Sequence, residues 1–139
     1  MKRLTCLFCL IALVLSLTLP LASCQKSELT VDEAVAVFED DIYLVQEYGE
    51  NMIAPIRENI EKDFAHEVEI VAIVHIINQT TSVPNLEWTY IYEFSDVENA
   101  KEFEKNRSNY ASSLEGGRCV RFDKIVVFGT SPLIDTIGK

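Results

Sequence analysis

Val68-Glu69-Ile70-Val71-Ala72-Ile73-Val74-His75-Ile76-Ile77 and, eight residues later, Leu86-Glu87-Trp88-Thr89-Tyr90-Ile91-Tyr92-Glu93-Phe94 decide the fold. The first run is apolar at odd and even positions alike and rich in Val and Ile, which predicts a central strand covered on both sides. The second alternates. Leu86, Trp88, Tyr90, Tyr92 and Phe94 share one face, and Glu87, Thr89, Ile91 and Glu93 share the other. A period of two predicts a half-buried strand, paired with the first as a hairpin through the loop 78–85.

Helical patterns surround this hairpin. Thr30-Val31-Asp32-Glu33 fits a capping box, and Val31, Ala34, Val35, Phe38, Ile42, Val45 and Tyr48 recur at helical spacing up to Gly49. Pro55 suits the first turn of a second helix, with Ile56 and Ile60 facing inward and a stop near Asp63. Ser95-Asp96-Val97-Glu98 fits another capping box, opening a helix whose face is Val97, Ala100, Phe103, Arg107, Tyr110 and Leu114. Gly116-Gly117 stops it. Arg118 to Phe128 reads as one strand, or as two turning at Asp123-Lys124. Ser131-Pro132 then predicts an N-cap and a terminal helix carrying Leu133, Ile134 and Ile137. The expected fold is α+β, with a single three- to four-stranded, largely antiparallel sheet and helices packed on its aromatic face in the order α-(α)-β-β-α-β-α.

A chain of 139 residues with 48% hydrophobic side chains makes one compact domain and is too apolar to be disordered. Its formal charge is −10 and its sequence pI about 4.6, which argues against binding nucleic acid through phosphate neutralisation. The acidity is uneven. Residues 28–69 hold 13 acids and 2 bases, whereas residues 70–139 hold 9 acids and 7 bases. This predicts an acidic first segment that faces away from an anionic membrane and is open to a basic protein or peptide partner.

The first residues carry a sorting signal. Lys2 and Arg3 precede a charge-free apolar run from Leu4 to Leu19, and small residues end it at Leu21-Ala22-Ser23-Cys24. A basic start, an apolar middle and a small-residue exit form a secretory signal peptide, with an uncleaved anchor as the alternative. Leu21-Ala22-Ser23-Cys24 resembles the lipobox of bacterial lipoproteins. The resemblance implies a diacylglyceryl group on Cys24, cleavage just before it, and a lipid-anchored, extracytoplasmic protein of the cell membrane or outer membrane. Its expected parts are a signal peptide over 1–23, a short lipidated tether over 24–29, and one domain over 30–139. The tether is short enough to hold the domain near the headgroups, through membrane lipid bound by acylated Cys24.

Cys6 and Cys9 would leave with the signal peptide, so Cys119 remains the lone thiol of the mature chain and no internal disulfide is expected. In Arg118-Cys119-Val120-Arg121 it reads as a buried residue pointing opposite to both arginines, and nucleophilic use is the lesser reading. His75, inside the first strand on the face of Val71, Ile73 and Ile77, reads as a hydrogen-bonded core histidine rather than a catalytic base. The chain carries no G-x-S-x-G elbow, no phosphate-binding glycine pattern and no H-E-x-x-H. Glu39, Asp40 and Asp41 lack the spacing and turn glycine of a calcium loop. No metal and no cofactor is expected. The Trp88, Tyr90, Tyr92 stripe is first a core face and second an aromatic platform for a ligand. The expected function is that of a membrane-anchored, non-catalytic binding module, using the aromatic stripe or the Glu39-Asp40-Asp41 face. The alternative is a small envelope hydrolase with a site near Cys119 or His75.

The sorting signal is directly testable. Cys24→Ala is expected to abolish incorporation of an alkyne fatty acid in expressing cells and to block leader removal. Equal labelling of variant and parent would refute lipidation at this residue.

Overall fold

A computed structural model describes residues 28–137; the leader, Cys24 and the start of the tether lie outside the described residues. Nine elements follow in order: α1 (Val31–Ala36), β1 (Tyr43–Glu47), α2 (Glu50–Phe64), β2 (Ile70–Asn78), β3 (Trp88–Phe94), α3 (Val97–Ala111), β4 (Gly117–Phe122), β5 (Ile125–Thr130) and α4 (Ser131–Ile134). The fold is α+β, with one five-stranded antiparallel sheet in the order β1-β2-β3-β5-β4. The expected hairpin is its centre, with Ile73 opposite Tyr92 and His75 opposite Tyr90. Arg118 to Phe128 is two strands, turning at Asp123-Lys124 between the paired Phe122 and Ile125. Asp123 takes the left-handed conformation (φ 55°), which Asp tolerates better than most residues and a two-residue hairpin turn favours.

Five strands replace the three or four expected because Tyr43–Glu47 is not helix. The Thr30 capping box forms as read, its hydroxyl accepting from the Glu33 N–H, but α1 ends at Ala36. Phe38 is buried just beyond it, and its ring meets that of Tyr43 edge-on at 5.1 Å. The chain then turns and runs out as an edge strand beside β2, with Tyr43 and Val45 packed on the sheet and Leu44 48% exposed. Gly49 accordingly caps the start of α2 rather than ending a long first helix, and Pro55 lies inside α2. The later boundaries shift by a residue: Asp96 rather than Ser95 caps α3, and Thr130 rather than Ser131 caps α4.

Both faces of the sheet are covered, not the aromatic face alone. On the aromatic face, α2 contributes Ile53, Ile60 and Phe64 and α3 contributes Ala100 and Phe103, packed on Ile70, Ile73, Tyr92, Phe94 and Val126. On the opposite face, Ala34, Phe38, Leu133, Ile134 and Ile137 cover Val74, Ile76, Ile91, Ile125 and Val127. This second layer explains why β2 and β5 are apolar at successive positions. Gly129 permits close approach of β5 to β3, since a Cβ there would collide with the Trp88 carbonyl. The acidic residues of 28–69 do not share one surface: Asp32 and Glu33 ride on α1, and Glu58, Glu61 and Asp63 ride on α2 across the sheet.

Burial separates two aromatic residues of one stripe. Phe94 is fully buried, whereas Trp88 keeps part of its ring in solvent. Phe94→Ala is therefore expected to cost about 3–5 kcal/mol in a urea melt of the full-length protein, and Trp88→Ala only about 1–2. Equal losses would mean that Trp88 is core.

Candidate functional site

The antiparallel register lays the sheet's residues out in rows. On the aromatic face one row crosses all five strands as Gln46, His75, Tyr90, Phe128 and Cys119. Beside it runs Leu44, Ile77 and Trp88, and on the other side Ile73, Tyr92, Val126 and Arg121. The two long helices cover the Tyr92 row and everything toward Phe94. They leave the Tyr90 and Trp88 rows largely open: His75, Ile77, Trp88 and Tyr90 are half-buried, while Leu44 and Gln46 are exposed. The stripe expected as a core face is therefore core at Tyr92 and Phe94 and an open aromatic shelf at Trp88 and Tyr90.

Ring packing fixes the shelf. His75 and Tyr90, cross-strand partners, stack at 4.0 Å between ring centres with planes 5° apart. Tyr48, in the turn from β1 into α2, meets both edge-on at 6.4 and 6.2 Å. Its N–H bonds to the Ile73 carbonyl, which extends the β1–β2 ladder by one step and aims the ring over the sheet. Trp88 stands edge-on to Tyr90 at 5.8 Å and to Phe128 at 5.4 Å, and Tyr110 of α3 closes the far side at 5.9 Å from Phe128. Such contacts fix the rings relative to one another, so the surface is preformed.

Burial and ring packing keep the shelf uncharged. Desolvation lowers the His75 pKa, because stacking removes water from its ring. Burial first, and then the neighbouring Tyr48, raise that of Tyr90 above the usual tyrosine range. Tyr92 is pushed up to about 12, chiefly by burial. His75 thus differs from the core histidine expected: it stacks rather than sitting in a hydrogen-bonded interior.

Cys119 and His75 are not brought together. Tyr90 and Phe128 lie between them in the row, three strand spacings or about 14 Å away. Burial pushes the Cys119 thiol up to about 11, despite a lowering contribution from Ser108, so it is protonated at neutral pH. The expectation that both arginines point away from it is corrected. Arg118 does, reaching Asp135, but Arg121 is two residues on and shares its face, where its Nε bonds to Glu104 at 3.0 Å. A bulge between Ile70 and Ala72 likewise puts Ile70, not Val71, in the core with Ile73 and leaves Val71 55% exposed.

Glu39, Asp40 and Asp41 are exposed in the turn that leads into β1, apart from the shelf. Among the described residues no group of three or more His, Cys, Asp or Glu is gathered for a metal ion. Sequence reading missed Tyr48, Leu44 and Phe128 as shelf residues, since β1 read as helix and β5 was not placed beside β3. No protein-family model matches this chain, and no curated protein or solved structure is significantly similar to it.

The two histidines should titrate in opposite directions from 6.5. His66 is raised, first by its contact with the Glu67 carbonyl and then by Glu102, whose carboxylate lies 3.0 Å from Nε2. Its contribution to stability is complete below about pH 6.5 and is lost as pH rises through the raised value. The His75 contribution has the opposite sign: it is complete above about pH 6.5 and is lost as pH falls through the depressed value. Proton NMR of the ring C–H signals is expected to give the lower midpoint to His75. The reverse order would mean that the His75–Tyr90 stack is open to water.

Proposed function

We propose that this protein is a lipid-anchored, non-catalytic binding module of the bacterial cell envelope, which takes a basic protein or peptide partner on the aromatic shelf. The observation that carries the reading is the partly open half of the sheet: aromatic rings packed in fixed positions, of which His75, Trp88 and Tyr90 stay only half-buried. A face of this kind binds apolar side chains by burial and Lys or Arg side chains through the ring faces, the cation contact being worth about 0.5–2 kcal/mol each. Neutral His75 and the raised tyrosines place no opposing charge there. The surrounding chain is strongly acidic, which favours a cationic partner and speeds its encounter.

The anchor fits the same orientation. Leu29 packs with the cluster on the α1 and α4 side of the sheet. The five residues Gln25 to Leu29 reach at most ~18 Å from an acylated Cys24. A tether leaving from that side holds it toward the bilayer, and the shelf lies on the other face of the sheet. On this reading α1 sits beside the tether, while α2 and the shelf look away.

Trp88 is the only tryptophan, so its fluorescence reports on the shelf. Titrating full-length protein in detergent with a peptide alternating Lys and Val is expected to shift that emission. Tyr90→Ala should weaken the interaction at least about fivefold, the equivalent of one cation–ring contact of ~1 kcal/mol. An equal response to the same peptide with Glu in place of Lys, or none at all, would refute the assignment.

A further inference from the structure

We propose that the partner is held as an added β-strand along β1, an extended peptide with basic residues flanking an apolar centre. This rests on the binding-module reading and names how the partner is gripped.

The hydrogen-bonding alternation of β1 is fixed at both ends. Ile42 accepts from the Gln79 N–H, and the Tyr48 N–H donates to the Ile73 carbonyl, so even-numbered residues bond inward to β2. The odd-numbered residues therefore direct their backbone groups outward. The Tyr43 N–H is taken by the Asp40 carbonyl. The Tyr43 carbonyl and both groups of Val45 and Glu47 remain, and among the described residues none of these finds a partner across the edge. Edge strands are ordinarily protected by charges in their middle, and β4 at the other side of the sheet carries Arg118 and Arg121. The centre of β1, Tyr43-Leu44-Val45-Gln46, has no charge.

Side chains and charge define the occupant. An added strand would lay alternate side chains beside Leu44, 48% exposed and in the shelf's edge row, and beside Tyr43 and Val45 on the opposite face. Glu39, Asp40 and Asp41 stand at one end of β1 and Glu47 at the other, and no cation pairs with them among the described residues. Cationic ends on the peptide complement both groups. A second copy does not: antiparallel pairing about Val45 brings the Glu39-Asp40-Asp41 end of one molecule against the Glu47 end of the other, acid against acid. Strand addition thus selects a basic peptide, and the strand it forms abuts the shelf.

The test uses full-length protein in detergent and a peptide of about ten residues with Lys-Lys at each end and alternating Val and Thr between. Hydrogen exchange at the Val45 and Glu47 amides should slow at least about tenfold on binding, as these donors become paired. A peptide N-methylated at alternate central residues loses its own donors and is expected to bind at least about tenfold more weakly, as is one with Glu at its ends. Equal binding of the N-methylated peptide, with unchanged Val45 exchange, would overturn strand addition while leaving the shelf reading intact. Loss of all peptide binding would overturn both. Protection of Val45 that rises with protein concentration in the absence of peptide would assign the edge to a second copy and overturn the proposal.

Discussion

The pleat of β3 is the constraint on which the structure depends. A strand turns successive side chains to opposite faces, and here both sets hold buried residues: Tyr92 and Phe94 beside half-buried Tyr90 on one side, Ile91 and Thr89 on the other. β3 lies in the middle of the sheet, so neither face can be left wholly to water. α1 and α4, both short, suffice on the Ile91 side, where the buried side chains are aliphatic apart from Phe38. The aromatic side needs two fifteen-residue helices, and even these reach only part of it. Leaving Trp88, Tyr90 and Leu44 partly open forgoes roughly 1–2 kcal/mol each, an amount that ligand burial can recover.

The central hairpin and α3 were legible because their patterns are unambiguous. Alternation over seven residues of β3 has no helical reading, and Ala100 and Phe103 sit at a spacing that no strand would place on one face. β1 was not legible for the opposite reason. Ile42, Val45 and Tyr48 continue a helical spacing that starts at Val31, and the same residues also suit a strand in which Tyr43 and Val45 face one way. Five residues cannot distinguish the periods, so tertiary contact decides: Phe38 closes against Tyr43, and β2 offers a free edge with Ile76 and Ile77 to pair. Gly49 fitted either assignment, as a helix end or as the cap of the next helix.

The candidate site was legible only in outline. The stripe could be read from β3, but which half of it stays open depends on where α2 and α3 end over the sheet, and that is a property of packing. The placement of Arg121 follows from counting alone, since residues two apart on a strand share a face, and Cys119 and Arg121 do. The Val71 position could not be counted out, because the bulge inserts a residue that no periodicity announces. The stack of His75 on Tyr90 required knowing that β2 and β3 pair with those two residues directly opposite.

Acidity and the open edge of β1 belong together. An uncharged edge with unpaired backbone groups would ordinarily recruit another copy of itself, and a lipid anchor would concentrate those copies in two dimensions, making the encounter more frequent. Here Glu39, Asp40 and Asp41 stand at one end of that edge and Glu47 at the other, so antiparallel self-pairing brings like charges together at both ends at once. Their repulsion acts within a Debye length of about 8 Å, longer than the ~4.8 Å spacing of paired strands, so it is felt before pairing is complete. The edge can therefore keep its backbone groups available without added charges in the centre of the strand, where a charged side chain would abut Leu44 and the shelf. β4 solves the same problem differently, by placing Arg118 and Arg121 on the edge itself and tying them to Asp135 and Glu104. One edge carries paired charges along the strand itself and the other carries free acids only at its ends, so under the strand-addition proposal a basic partner is directed to β1.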